Sequence, residues 1–153
     1  MAALGWLLNL DFAGGAPAVT LASTALKAIR QGPLVAHWLW WIADDAGDVT
    51  YRFEAGELRG RVIRVVTAPL QPAPSANYDV VLSSVLGNDL AAGSLANRSA
   101  TATEQVWLYD ALSDAHHRTP ATHCRYSLEV TNAGGGGAGL VVLYCWLGAS
   151  VRP

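Results

Sequence analysis

The chain has 153 residues, which suits one domain, or one domain with an arm. Apolar residues make up 52% and charged residues 14%, where an ordinary domain carries about a quarter charged. The net charge of −2 comes with no basic run or stripe, which removes the electrostatic basis for nucleic-acid binding.

Little charge and six tryptophans suit either a Trp-rich core with little exposed surface or a surface that other subunits cover, since Trp is enriched at the buried centres of interfaces. Residues 1–17 read as an apolar arm, MAALGWLLNL followed by a break at Ala13-Gly-Gly-Ala-Pro17. A secretory signal is not expected there. No basic residue precedes Lys27, and Asp11 interrupts the run. Residues 18–153 read as a single β domain. Its opening, residues 18–31, fits two periods: Leu21, Ala25, Leu26 and Ile29 have helical spacing, while Val19, Leu21 and Ser23 alternate as in a strand.

After Gly32-Pro33 the pattern is β. Leu34 to Ile42 is apolar on both faces, with Val35, His37, Leu39 and Trp41 on one and Ala36, Trp38, Trp40 and Ile42 on the other. This run is too short to cross a bilayer, and no membrane partner is expected. The polar turn Asp44-Asp-Ala-Gly-Asp48 and the strand Val49–Phe53 then predict a hairpin over 34–53. A further strand covers Arg59 to Thr67. Strict alternation puts Arg59 and Arg61 on one face and Arg64 on the other, as a solvated face and one interface arginine. Pro69, Pro72 and Pro74 make an extended connector. Strands follow at Asn77–Ser84 and Thr103–Tyr109, separated by a Gly/Asn/Ser loop. Polar residues 110–122 form another loop. Cys124–Thr131 and Leu140–Leu147 are strong strand patterns, and five of the eight residues joining them are Gly, which predicts a hairpin with a mobile tip, or one fitted closely against another backbone. Short strands with turn signals roughly every ten residues predict an all-β antiparallel sandwich or barrel.

Candidate chemistry is sparse. His116, His117 and His123 lie near Asp110, Asp114 and Cys124, but their spacing matches no zinc signature. Ser113, His116 and Asp110 could be written as a triad, yet no nucleophile elbow precedes them. Asp44, Asp45 and Asp48 lack the further ligands a calcium loop supplies. Gly134–Gly137 joins strand to strand with no helix and no Lys-Ser/Thr, so it is no phosphate cradle. Cys124 and Cys145 have neither CxxC spacing nor a ligand cluster, and fit either free thiols or a disulfide. No catalytic residue, metal or cofactor is expected, and the chain is not expected to be an enzyme.

Six pieces stand in a recognisable order. They are Trp38-Leu-Trp-Trp41 running into Asp44-Asp-Ala-Gly47, Arg64-Val-Val-Thr67-Ala-Pro69, Pro74-Ser-Ala-Asn-Tyr78-Asp-Val-Val-Leu82, Ala96-Asn97-Arg98, Leu128-Glu-Val-Thr131-Asn-Ala-Gly134 and Leu143-Tyr144. Over roughly residues 36–146 this order resembles a family of small virion structural proteins of tailed bacteriophages. Ser83-Ser-Val-Leu-Gly87-Asn-Asp89-Leu90 departs from the acidic turn of that family. The resemblance implies a protein assembled in the host cytoplasm and resident in the virion. Its expected role is capsid decoration or cement on the head exterior, as a dimer or trimer bound to the major capsid protein. Tail, neck or fibre-base components share the composition, and a carbohydrate-binding sandwich with exposed Trp is the alternative from another class. The residues expected to make contacts are Trp6, Leu7, Leu8, Phe12, Trp38, Trp40, Trp41, Arg64, Tyr78, Trp107 and Trp146.

Overall fold

A strand that is apolar on both faces needs neighbours on both edges and cover above and below. The computed structural model, which describes residues 24–54, 56–58, 60–84, 86–108 and 125–147, supplies both edges and the cover of one face with two antiparallel sheets. The strands are β1 (Thr24–Gln31), β2 (Leu34–Ile42), β3 (Val49–Phe53), β4 (Arg61–Pro69), β5 (Asp79–Ser84), β6 (Glu104–Trp107), β7 (Tyr126–Thr131) and β8 (Ala138–Trp146). One sheet has the order β1-β2-β8-β4-β6 and the other β3-β7-β5. The sheets do not close into a barrel, so the fold is an all-β sandwich, and the described residues include no helix.

The core lies between the sheets. Leu39, Trp41, Val65, Val141 and Leu143 from the large sheet meet Phe53, Val80, Leu82, Leu128 and Val130 from the small one. Alternation carries this pattern in β7, where Tyr126, Leu128 and Val130 point inward and Ser127, Glu129 and Thr131 do not.

Three expectations change. The ambiguous stretch 18–31 is a strand where it is described, β1, paired with β2 through all eight of its residues. The two-residue turn between them has Gly32 at φ 58°. Pro33 cannot take a positive φ, which leaves a type II′ turn with Gly in its first central position. Neither predicted hairpin exists. β2 pairs with β1 and β8, while β3 pairs with β7. Likewise β7 and β8 belong to different sheets. The physical reason is that β2 and β8, apolar on both faces, take interior positions of the wide sheet. The amphipathic β3 and β7 take the small one. The connections 43–48 and 132–137 therefore cross between sheets.

The glycine-rich connection is pinned at this crossing. Ala43 N–H donates to the Gly137 carbonyl (2.8 Å), Gly136 N–H to Ala43 (3.2 Å), Ala133 N–H to Gly47 (2.8 Å) and Ser75 N–H to Ala133 (2.7 Å). A Cβ on Gly47, which sits at φ 89°, would lie 2.7 Å from the Gly134 nitrogen. The glycines are present because three backbones meet here, and the mobile-tip expectation gives way to close fitting.

Candidate interaction surface

The motif asparagines converge beside that crossing. Asn77, Asn97 and Asn132 all have positive φ (62°, 56° and 62°), a conformation Asn tolerates better than other side-chain-bearing residues. Asp79 ties two of them together: its Oδ1 accepts from the Asn97 N–H at 2.8 Å and its Oδ2 from Asn132 Nδ2 at 3.0 Å. Asn132 N–H in turn donates to Asp48 Oδ1 at 3.2 Å. Arg98 N–H donates to the Tyr78 carbonyl at 2.7 Å, and the Arg98 guanidinium donates to the Ala96 carbonyl. Pieces far apart in sequence thus form one hydrogen-bonded junction. Its chemistry is structural, a set of loop ends fixed against each other.

The face of the five-stranded sheet turned away from the small sheet is a second apolar layer. It holds Ala36, Trp38, Trp40, Val66, Val142 and Tyr144, with Ile29, Leu34, Ile63 and Leu140 packed against them. The registers align one row across all five strands: Ile29, Ala36, Tyr144, Arg64 and Trp107. Within it the Arg64 guanidinium lies 3.9 Å from the Tyr144 ring centroid and 5.1 Å from that of Trp107. A bulge between Val62 and Arg64 shifts the register of β4 against β8. It lets both Val62 and Val65 enter the core, so that Arg61 and Arg64 share the outer face, which strict alternation does not predict.

The predicted contact residues separate by exposure. Trp41 is 1% exposed and packs against Tyr78 in the inter-sheet core. Trp38 and Trp40 stack on the outer face with ring centroids 6.0 Å apart, at 4% and 7% exposure. Trp107 is 58% exposed and Trp146 46%, and with half-buried Arg64 these are the predicted residues that offer surface to a partner. Trp6, Leu7, Leu8 and Phe12 lie outside the described residues, as do Cys124 and the loop histidines. Sequence reasoning missed Leu86, the most exposed large apolar side chain among the described residues, on the turn after β5. Its signal was an apolar residue inside the turn Ser84 to Asn88.

The titratable groups are set by burial. His37, on the inner face of β2, is buried with neither ring nitrogen hydrogen-bonded. Desolvation holds its pKa below 6.5, and the nearby Glu57 charge opposes this only in part. Cys145 is a buried free thiol, pushed up to about 12 by desolvation. The Tyr78 hydroxyl, buried and interacting with Thr67, is also pushed up to about 12, chiefly by burial. Tyr51 is raised by burial and by its 2.7 Å hydrogen bond to Glu57 Oε1. Among the described residues no three His, Cys, Asp or Glu gather at metal-binding distances. The recess over Ile29, Gln31, Leu34, Ala36 and Tyr144 has a volume of about 40 Å³, room for one or two waters and far below the several hundred Å³ of a small-molecule site.

This arrangement can bind a surface: a stiff sheet, an ordered cation and exposed indoles. No protein-family model, no curated protein and no solved structure matches the chain.

Proposed function

We propose that this chain is a structural component of a phage virion, a decoration or cement protein that binds the outside of the head and ties neighbouring shell subunits together. The observation that carries this reading is the outer sheet face, where Trp107 and Trp146 are exposed beside an aromatic-framed Arg64. Trp, Tyr and Arg are the residue types that dominate binding energy at protein interfaces. The ordered resemblance from Trp38 to Tyr144 supports the virion setting. The pinned loop junction supports a rigid part, because a surface preorganised for docking loses less entropy on binding. A clamp of this kind acts at many symmetry-related positions, so a closed homo-oligomer at a symmetric lattice point is the expected form.

The test is electron microscopy of purified particles with the chain located in the density. Hundreds of copies on the shell support the reading. About a dozen or fewer at the neck or tail would move the protein to a tail or neck role, and absence from the particle would overturn the virion reading.

A further inference from the structure

Arg64 is ordered by two aromatic rings and, among the described residues, is paired with no anion. Its Nε is buried without a hydrogen-bond partner. Among the described residues no carboxylate reaches Arg64, while Arg98 pairs with Glu104 at 3.9 Å. A guanidinium presents its donors as a rigid planar fork that matches a carboxylate. Here Tyr144 and Trp107, the cross-strand neighbours of Arg64 on either side, hold the fork in place before anything binds. Trp146 stands one pleat further along β8 on the same face.

We infer that Arg64, framed by Trp107 and Tyr144, docks a carboxylate presented by an acidic segment of a partner protein, with Trp107 and Trp146 covering the apolar part of that segment. This rests on reading the outer face as the assembly surface and names the chemistry of its partner. Charge selects the occupant. The strand residues of this face include Lys27, Arg61 and Arg64 and no Asp or Glu. Two copies placed face to face would oppose like charges, which disfavours a second copy here. A nucleic-acid strand would need a track of cations spaced along its phosphates. Instead Arg61 is already engaged, and Lys27 lies three strands away from Arg64.

The test is NMR on the full chain, reading the Arg64 Nε–H and the Trp107 and Trp146 indole N–H signals. The probes are the blocked peptides Ac-Leu-Asp-Leu-NH2 and Ac-Leu-Asn-Leu-NH2, and an eight-residue thymidine oligonucleotide. The expected result is saturable shifts with the Asp peptide at a dissociation constant on the order of 1 mM, and at least tenfold weaker binding of the Asn peptide. Arg64→Gln should abolish the Asp preference. Arg64→Lys should keep the charge yet lose most of the preference, and both variants are checked for wild-type dispersion elsewhere in the spectrum. Should those variants unfold, Trp107→Ala serves instead and should weaken the Asp peptide several-fold. Equal binding of Asp and Asn peptides, or no shifts, overturns the inference. So does tighter binding of the oligonucleotide with steep salt dependence, or self-association that Arg64→Gln abolishes. Heads that ignore the protein while the Asp peptide still binds would refute the head-decoration role alone. Heads that bind Arg64→Gln as well as wild type would refute this docking site alone.

Discussion

His37 shows how one side chain sets a pH limit. It is buried and neutral, and in the unfolded chain it titrates near 6.5. Its folded pKa is lower, so below 6.5 the unfolded state binds more protons than the folded one. Stability that is fully present above 6.5 is therefore lost as pH falls towards the folded value. Wild type should show a falling urea midpoint through this window, and His37→Leu should show a flatter profile. Parallel profiles would refute the assignment. Asp79 is the second residue-level case. Asp79→Ala removes the acceptor of both the Asn97 N–H and the Asn132 amide, and should cost about 1–2 kcal/mol by urea denaturation, since the group is partly solvated. Cys145 is the third. With its thiol raised to about 12 and no exposure, it should resist a thiol reagent in a Cys124→Ser background until the protein unfolds.

At the scale of elements, the crossing of loops 43–48 and 132–137 is where the two sheets are joined. β8 leaves it with Gly139 lying against the Trp41 indole, where a Cβ would overlap the ring. Gly139→Ala should therefore destabilise by about 1–3 kcal/mol, measured as a lower urea midpoint. What was legible in the sequence follows from the same physics. Strand positions after residue 32 were readable because Val, Ile, Trp and Tyr alternate with polar residues, as in β7, or fill both faces, as in β2 and β8. Pairing was not readable. Val49–Phe53 follows Leu34–Ile42 closely, as a hairpin would, and only the demand of β2 for two strand partners sends it to the other sheet. For β1, helical spacing of Leu26 and Ile29 competed with strand pairing, and eight residues of ladder with β2 decided it. The surface was half legible. Arg64 could be singled out as opposite Arg61 in simple alternation, but the bulge that puts them on one face leaves no mark in composition. The tryptophan count fits a core or interfaces as a class, while the division of the five described tryptophans into core, outer layer and exposed surface depends on which face of which strand each occupies.

The described residues form an asymmetric pair of sheets. One sheet face is closed by the small sheet and forms the core. The opposite face carries a second apolar layer with an ordered arginine and two exposed indoles at one side. Loops fixed at the crossing keep the pair stiff, as a clamp between subunits would need. An exposed Trp107 also fits a sugar-binding sandwich. Titration with oligosaccharides separates the two, since a clamp should show no sugar-dependent quenching of Trp fluorescence. The most direct measurement of the central claim is the position and number of copies on purified particles, by electron microscopy of the wild-type virion. Hundreds of copies, with the Trp107–Arg64–Tyr144 face against the shell, is the predicted result. Particles that lack the chain, or that carry it with this face open to solvent, would contradict it.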